Sequence, residues 1–321
     1  MNLPDNPLQW RVGLVGYGEV GSILAEDLRA TAVATAMYDL KLGTDAGTAM
    51  REHARVHGVW IESSHAVLTE RADLIISAVT ASQAVPVAQA CATHIVKGSF
   101  FLDLNSASPG AKIRAAEIVD GVGGRYVEGA VMTSVPPHRI AVPLLLGGPH
   151  AAELAPKLRS LGFNANRASD KLGVASATKM CRSVMVKGLE AMVIECFTAA
   201  RAWGVEDEVL ASLQETFPGI RWDEQGAYFF QRVIEHGRRR AEEMLEAAHT
   251  VREAGLVPWS ASATAQRQAW VADLAERGVL GAPPGEKPVR RDWRVEADRI
   301  LAEAERILAP AEAEAETKQQ R

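Results

Sequence analysis

The sequence predicts an α/β protein, a doubly wound parallel sheet followed by an all-α domain, and three observations carry that expectation. Short apolar runs alternate with helix-like spacers through about residue 165. A glycine-rich turn closes the first run, and from about Ser176 the pattern becomes helical and stays so. At 321 residues the chain is too long for one small core. Two domains are therefore expected, 1–168 and 169–310, with 311–321 as a disordered tail.

The first strand is marked by Val12, Leu14 and Val15, which lead into Gly16-x-Gly18-x-x-Gly21 and then into the helical spacing of Ile23, Leu24 and Leu28. That order is the one a dinucleotide pyrophosphate requires. Gly16 permits the tight turn, Gly18 lets the phosphates approach the backbone, and Gly21 lets the helix pack on the sheet with its N-terminus facing the anion. The domain is thus read as a Rossmann domain, with Gly16, Tyr17, Gly18, Glu19, Val20 and Gly21 as candidate cofactor-binding residues.

A second strand over 32–38 ends at Asp39, 18 residues after Gly21. A carboxylate there can accept from both ribose hydroxyls and repels a 2′-phosphate, which favours NAD. Lys41 lies close enough to soften that repulsion, so NADP stays open. Further strand-like runs cover 74–79, 100–104, 126–128 and 142–146, closed by Gly147-Gly148. Val79 and Thr80 are expected to border the nicotinamide. Ser108-Pro109 has the form of a helix start, Ser as the cap and Pro at the first position.

In the helical half, Cys181, Val184, Met185, Leu189, Met192, Val193, Cys196, Phe197 and Ala200 keep a three-four spacing up to Trp203-Gly204. Such an apolar helix is expected to be largely buried, in a second domain or a subunit interface. Helices follow over 206–217, 227–254 and 261–277, then a Pro/Gly-rich loop at 281–288 and an amphipathic helix over 293–308. The long helix and the last one carry more apolar surface than one small domain needs, so a homodimer or homotetramer is expected.

The net charge of −5 gives no broad attraction to nucleic acid or anionic membranes. Arg238-Arg239-Arg240 is balanced by Glu242, Glu243 and Glu246, as on a solvated helix face. Three widely spaced cysteines imply neither a disulfide framework nor a zinc site, and no metal is expected. The first nine residues lack the form of a signal peptide, and no run is long enough to span a membrane. A cytoplasmic protein is expected.

Lys179 stands near the start of the long helix, with Ser183 and Lys187 at successive four-residue steps. A lysine beside a bound dinucleotide can take the proton of an alcohol during oxidation, or return one in reduction. Taken alone, a lysine on a helix is more often a solvated surface group.

Four segments together resemble the β-hydroxyacid dehydrogenase family, which includes 3-hydroxyisobutyrate and 6-phosphogluconate dehydrogenases. Gly16–Gly21 matches the family's nucleotide turn. Asp103-Leu-Asn105-Ser106-Ala-Ser108-Pro109 resembles its Asp-x-Ser-Thr-x-x-Pro segment, and Glu128-Gly-Ala-Val-Met-Thr133-Ser134 stands where the family has Asp-Ala-Pro-Val-Ser-Gly-Gly. Gly173 to Ser183 resembles Gly-x-Gly-x-x-x-Lys-x-x-x-Asn and puts Lys179 at the catalytic lysine. The resemblance implies catalysis by Lys179 with Ser183, Asn105 and Ser106, of which Asn105 also meets the cofactor. It implies substrate contacts from Ser106, Thr133, Ser134, Lys179 and Ser183, with Arg139 and Arg240 as further candidates for an acidic small-molecule substrate.

Departures from the pattern are Asn105 for serine, Thr133-Ser134 for the Gly-Gly pair, and Ser183 for asparagine. The stretch from His236 to Pro258 resembles a poorly characterised phosphogluconate-dehydrogenase-like C-terminal domain. Glu243 stands there near the family's aspartate, without an adjacent lysine. The expected activity is hydride transfer between a nicotinamide cofactor and a small β-hydroxyacid or sugar acid. The rivals are an imine reductase on the same fold, against which Lys179 argues, and a non-catalytic redox sensor.

Overall fold

The structure, a computed structural model, describes residues 3–282 and 292–319, those from 307 onward by backbone alone. By its internal contacts the chain forms two compact units, Met1–Cys181 with His249–Leu256, and Arg182–Ala248 with Val257–Arg321.

The first unit is built on a sheet of eight strands. In chain order they are β1 (Arg11–Val15), β2 (Ala34–Tyr38), β3 (Trp60–Ile61), β4 (Leu74–Ser77), β5 (Phe100–Asp103), β6 (Arg125–Val131), β7 (Leu144–Gly147) and β8 (Ala165–Ser169). Their spatial order is β3-β2-β1-β4-β5-β6-β7-β8. Six of the seven pairings are parallel, and β6–β7 alone is antiparallel. A parallel pair needs a crossover element, and the β6–β7 connection carries only a 3-10 turn at Arg139–Ala141. Strands β4 and β5 are buried along their whole length, as their uninterrupted apolar runs require.

The sheet's helices are α1 (Glu19–Ala30), α2 (Ala46–His57), α3 (His65–Thr69), α4 (Ala84–Ala92), α5 (Pro109–Gly121) and α6 (Ala151–Ser160). One core gathers Leu14, Leu24, Leu28, Ile76 and Leu102, and a second gathers Ile75, Phe101, Val119 and Tyr126. Alternate residues of β4 and β5 therefore feed opposite faces of the sheet. The order reverses between β1 and β4. In open α/β sheets that reversal opens a crevice at the strands' carboxyl ends.

Two strands carry no apolar signature. Both residues of β3 are exposed, and β8 is largely polar and exposed at the far edge, so neither stood out as a run in the sequence.

The helical half comprises α7 (Val174–Trp203), α8 (Glu206–Thr216), α9 (Trp222–Glu253), α10 (Trp259–Glu276) and α11 (Trp293–Gln319). The first turns of α7 and the end of α9 belong to the first unit. Val193, Ile194, Phe197, Phe230, Val233, Val271, Trp293 and Ile300 form the second unit's core. Gly226 is needed there, because a Cβ on it would lie 2.5 Å from Phe197.

Within the single chain, α7 buries one face of its apolar residues. Cys181, Met185, Met192 and Cys196 are exposed in the chain, because only the face bearing Val193, Ile194 and Phe197 enters the core. The last helix, expected over 293–308, continues to Gln319. The expected loop at 281–288 falls mostly outside the described residues. Among the described residues, no helix is long and apolar enough to cross a membrane.

Candidate active site

The glycine turn after β1 has the backbone its sequence demands. Gly16 sits at φ +91°, and a Cβ there would lie 2.5 Å from the Ala78 carbonyl oxygen. A Cβ on Gly21 would lie 2.1 Å from the carbonyl oxygen of Gly16, so the helix can start this close only with glycine. Gly18 differs from both, since a Cβ on it would meet nothing within 4 Å. Internal packing therefore gives no reason for glycine at 18, whereas a closely approaching ligand would. Gly18 also caps α1 without any side-chain hydrogen bond, which leaves the first-turn N–H groups directed outward.

Asp39 holds this turn. Its carboxylate accepts from Tyr17 N at 2.8 Å through one oxygen and from Lys41 N at 2.8 Å through the other. Ionised carboxylate oxygens each have a second lone pair, so two hydroxyls can still be accepted. Tyr17 contributes backbone only. Its ring is buried, its hydroxyl meets His53, and burial together with Glu26 pushes that hydroxyl up to about 12. Glu19 is exposed at the head of α1, and Val20 packs against the core.

The ends of β1, β4 and β5 are tied in series. Asn105, just beyond β5, accepts from Val79 N at 2.7 Å and donates to the Ser77 hydroxyl at 2.9 Å. It is buried, and it staples the β4 turn to the β5 turn. Thr80 caps the next 3-10 turn, with its hydroxyl 3.4 Å from that of Ser82.

Beneath Asn105 lies a buried ion pair. The Lys112 ammonium is 2.8 Å from the Asp103 carboxylate and also donates to the Asp103 carbonyl at 2.9 Å. Tyr126 donates its hydroxyl to Asp103 at 2.7 Å, and Asn105 N donates to the same carboxylate at 2.8 Å. Burial, reinforced by the Asp103 charge, holds the Tyr126 hydroxyl well above the usual phenol range. Ser108 caps α5 and donates to Glu253, whose other oxygen accepts from Gly110 N. The segment 104–108 is therefore fixed at both ends, with Ser106 half-buried between them.

Lys179 reaches Ser106 because a buried carboxylate fixes the head of α7. Glu128 on β6 accepts from Gly173 N at 2.8 Å, Ala175 N at 2.7 Å and the Ser176 hydroxyl at 3.2 Å. A negative group at a helix N-terminus satisfies orphan donors and complements the helix dipole. From that anchored start, Lys179 sends its ammonium to 2.6 Å from the Ser106 hydroxyl oxygen. The sequence offered one clue to the anchor: a glutamate in an otherwise apolar strand, which must find donors if buried.

Other expected residues fall elsewhere. Thr133 is exposed and Ser134 half-buried after β6. Arg139 pairs with Glu26 and Asp27, so its guanidinium ties that segment to α1. In the second unit, Ser183 is buried and lies 3.5 Å from the Lys187 ammonium. Arg240 is buried against Glu190 of α7, with Nε at 2.9 Å, so the arginine expected to meet an acidic substrate neutralises a glutamate of its own unit. The partner absent from the sequence neighbourhood of Glu243 is Lys187, which forms an ion pair with it from α7. Burial lowers Lys187 from the usual lysine range against the opposing pull of Glu243.

A family model for the NAD binding domain of 6-phosphogluconate dehydrogenase matches residues 11–161, and a domain of unknown function (DUF1932) matches 200–271. The chain is 35% identical to a conserved hypothetical protein from Sinorhizobium meliloti 1021, covering 91% of this chain and 97% of that one with a TM-score of 0.72. It is 30% identical to a conserved protein of unknown function reported to be structurally similar to 3-hydroxyacid dehydrogenases, over 84% of this chain and 99% of that one, with a TM-score of 0.66. This chain belongs to the β-hydroxyacid dehydrogenase family. An uncharacterized 28.5 kDa protein of Methanothermus fervidus is 29% identical over 256 residues, 77% of this chain and 93% of its own.

As a member of this family the chain is an NAD(P)-dependent oxidoreductase, and its turn suits the cofactor. The space left open at Gly18, the outward N–H groups of α1 and the carboxylate of Asp39 are what a pyrophosphate and its adenosine ribose require.

Proposed function

We propose that the chain moves a hydride between NAD and a small hydroxy acid, with Lys179 as the general acid/base. The observation that carries this reading is the 2.6 Å contact between the Lys179 ammonium and Ser106. It lies on the same row of strand ends as the glycine turn, through Gly16, Ala78, Val79 and Asn105. When bound, the nicotinamide ring supplies the hydride acceptor or donor.

In oxidation, the neutral Lys179 amine takes the proton of the substrate hydroxyl, and in reduction its ammonium returns one to the carbonyl oxygen. Ser106 lies beside the Lys179 ammonium, and its hydroxyl can donate to or accept from the oxygen of a substrate that approaches both. Asn105 acts at one remove, since its amide fixes the loop that carries Ser106. Thr133 and Ser134 are the polar groups proposed for the substrate carboxylate. Asp39 accepts from the ribose and disfavours a 2′-phosphate, hence NAD over NADP.

The test is a panel of hydroxy acids beside cyclic imines, followed by cofactor absorbance in the wild-type enzyme and Lys179→Ala. The expected result is turnover on a hydroxy acid that the substitution abolishes, with NADH affinity by fluorescence titration unchanged. Turnover of imines alone, or near-normal kcat in Lys179→Ala, rejects the reading.

A further inference from the structure

Between α1 and α2, beside the buried ring of Tyr17, three metal-ligating side chains converge. His53 and His57 stand at i and i+4 on the last turns of α2, with rings stacked at 4.4 Å between centroids and 28° between planes. Glu26 of α1 faces both. Its Oε1 is 2.9 Å from His53 Nε2 and 3.9 Å from His57 Nε2, and one ligand atom from each of the three residues lies within 4.8 Å of the others. We propose that Glu26, His53 and His57 form a binding site for a divalent transition-metal ion of the zinc type.

The spacing suits such an ion. Zinc bonds of about 2.0–2.1 Å in a tetrahedron place neighbouring ligand atoms about 3.3 Å apart. The two separations from Glu26 bracket that value, and all three ligand atoms lie within 4.8 Å of one another. Two imidazoles and a carboxylate are the donor set of open three-ligand sites, in which water fills the fourth position. All three side chains keep 27–34% of their surface exposed, which gives an ion a path in.

The surroundings orient these ligands. His53 Nδ1 lies 3.0 Å from the Tyr17 hydroxyl. With Nδ1–H donating to that oxygen, the Nε2 lone pair points towards Glu26, the outer-sphere arrangement that fixes the tautomer of a metal-bound histidine. Arg139 takes the other carboxylate oxygen of Glu26, which turns Oε1 toward the rings. Arg139 is shared with Asp27, so Glu26, Asp27 and Arg139 together carry one net negative charge beside two imidazoles. The site also lies at the C-terminal end of α2, where the helix dipole favours a cation. The three ligands come from two helices, and their sequence spacing resembles no single-stretch metal motif.

The experiment uses the full chain after dialysis against a chelator. Zn²⁺ is titrated calorimetrically, and Co²⁺ is followed by its visible d–d absorption. One Zn²⁺ per chain at micromolar affinity or tighter is expected, with the intense Co²⁺ bands of low coordination number. His57→Gln, at a partly exposed position, should weaken binding at least about tenfold and bleach the Co²⁺ bands. His94→Gln, which alters another histidine–glutamate pair at 2.9 Å, should leave both readings unchanged. Lack of stoichiometric uptake by the wild-type chain overturns the proposal. So does undiminished binding in both His57→Gln and His53→Gln. Circular dichroism checks that each variant is folded, and a Zn²⁺-dependent rise in Tm confined to chains that keep both histidines gives an independent reading.

Discussion

Two lysines eight residues apart on α7 meet different environments. Lys179, half-buried in the first unit, ends at the hydroxyl of Ser106. Lys187, buried in the second, forms an ion pair with Glu243 beside a second pair, Arg240 with Glu190. A lysine against a hydroxyl at an accessible strand end can exchange a proton with an incoming molecule. A lysine buried among three further charges is part of the packing, and its removal takes from Glu243 its nearest cation. In the proposed mechanism the same residue type on one helix thus serves chemistry in one unit, while in the other it serves packing.

The strongest way to break this contrast is to remove each lysine and compare what is lost. Lys179→Ala is expected to lower kcat by about 10²–10⁴-fold, the range general acid–base catalysis supplies, while Tm stays close to wild type. Lys187→Met should do the reverse in kind, costing roughly 1–3 kcal/mol of stability in urea unfolding, because the half-buried Glu243 loses its nearest cation and keeps Arg239 at 3.8 Å. Adding Glu243→Leu should recover most of that loss, a coupling that a double-mutant cycle measures. If Lys187→Met is as stable as wild type, the architectural reading of the second lysine fails.

A smaller effect sharpens the first half of the contrast. Ser106→Ala should reduce kcat/KM by about tenfold, the value of one hydrogen bond to a charged group, with cofactor affinity unchanged. The smallest effect is a pH slope. Burial puts the folded-state value of Lys187 below the unfolded value of 10.5, so between the two the unfolded chain binds the extra proton. Stability should therefore rise with pH between the folded value and 10.5, and be flat on either side of that window. Tm against pH should show this slope in wild type and lose it in Lys187→Met.

Much of the first unit was legible because its signals are local. Val12 to Gly21 states a strand, a turn and a helix within ten residues, and the glycines stand where backbone clashes forbid a side chain. Ser108 and Pro109 announced the start of α5 in the same way. Asn105 was visible as a candidate but not in its role, because its partners Ser77 and Val79 lie 28 and 26 residues upstream. Arg240 shows the reverse dependence on distance. Its charge suggested an acidic ligand, but Glu190, 50 residues away, takes that place. Within the single chain α7 buries only one face, because three-four spacing reports an apolar face without saying how much of it finds a partner.

The sequence by itself determined the alternation of strands and helices, the backbone of the dinucleotide turn, the acid at the end of β2 and the lysine near the head of a long helix. Each of these follows from steric and periodic demands satisfied within a few neighbouring residues. Tertiary structure alone decided that Glu128 anchors the head of α7 from 45 and 47 residues upstream, that Lys187 answers Glu243, and that Glu26 meets His53 and His57. Those meetings depend on where the sheet and helices bring distant side chains, and no local pattern encodes a distance between two elements.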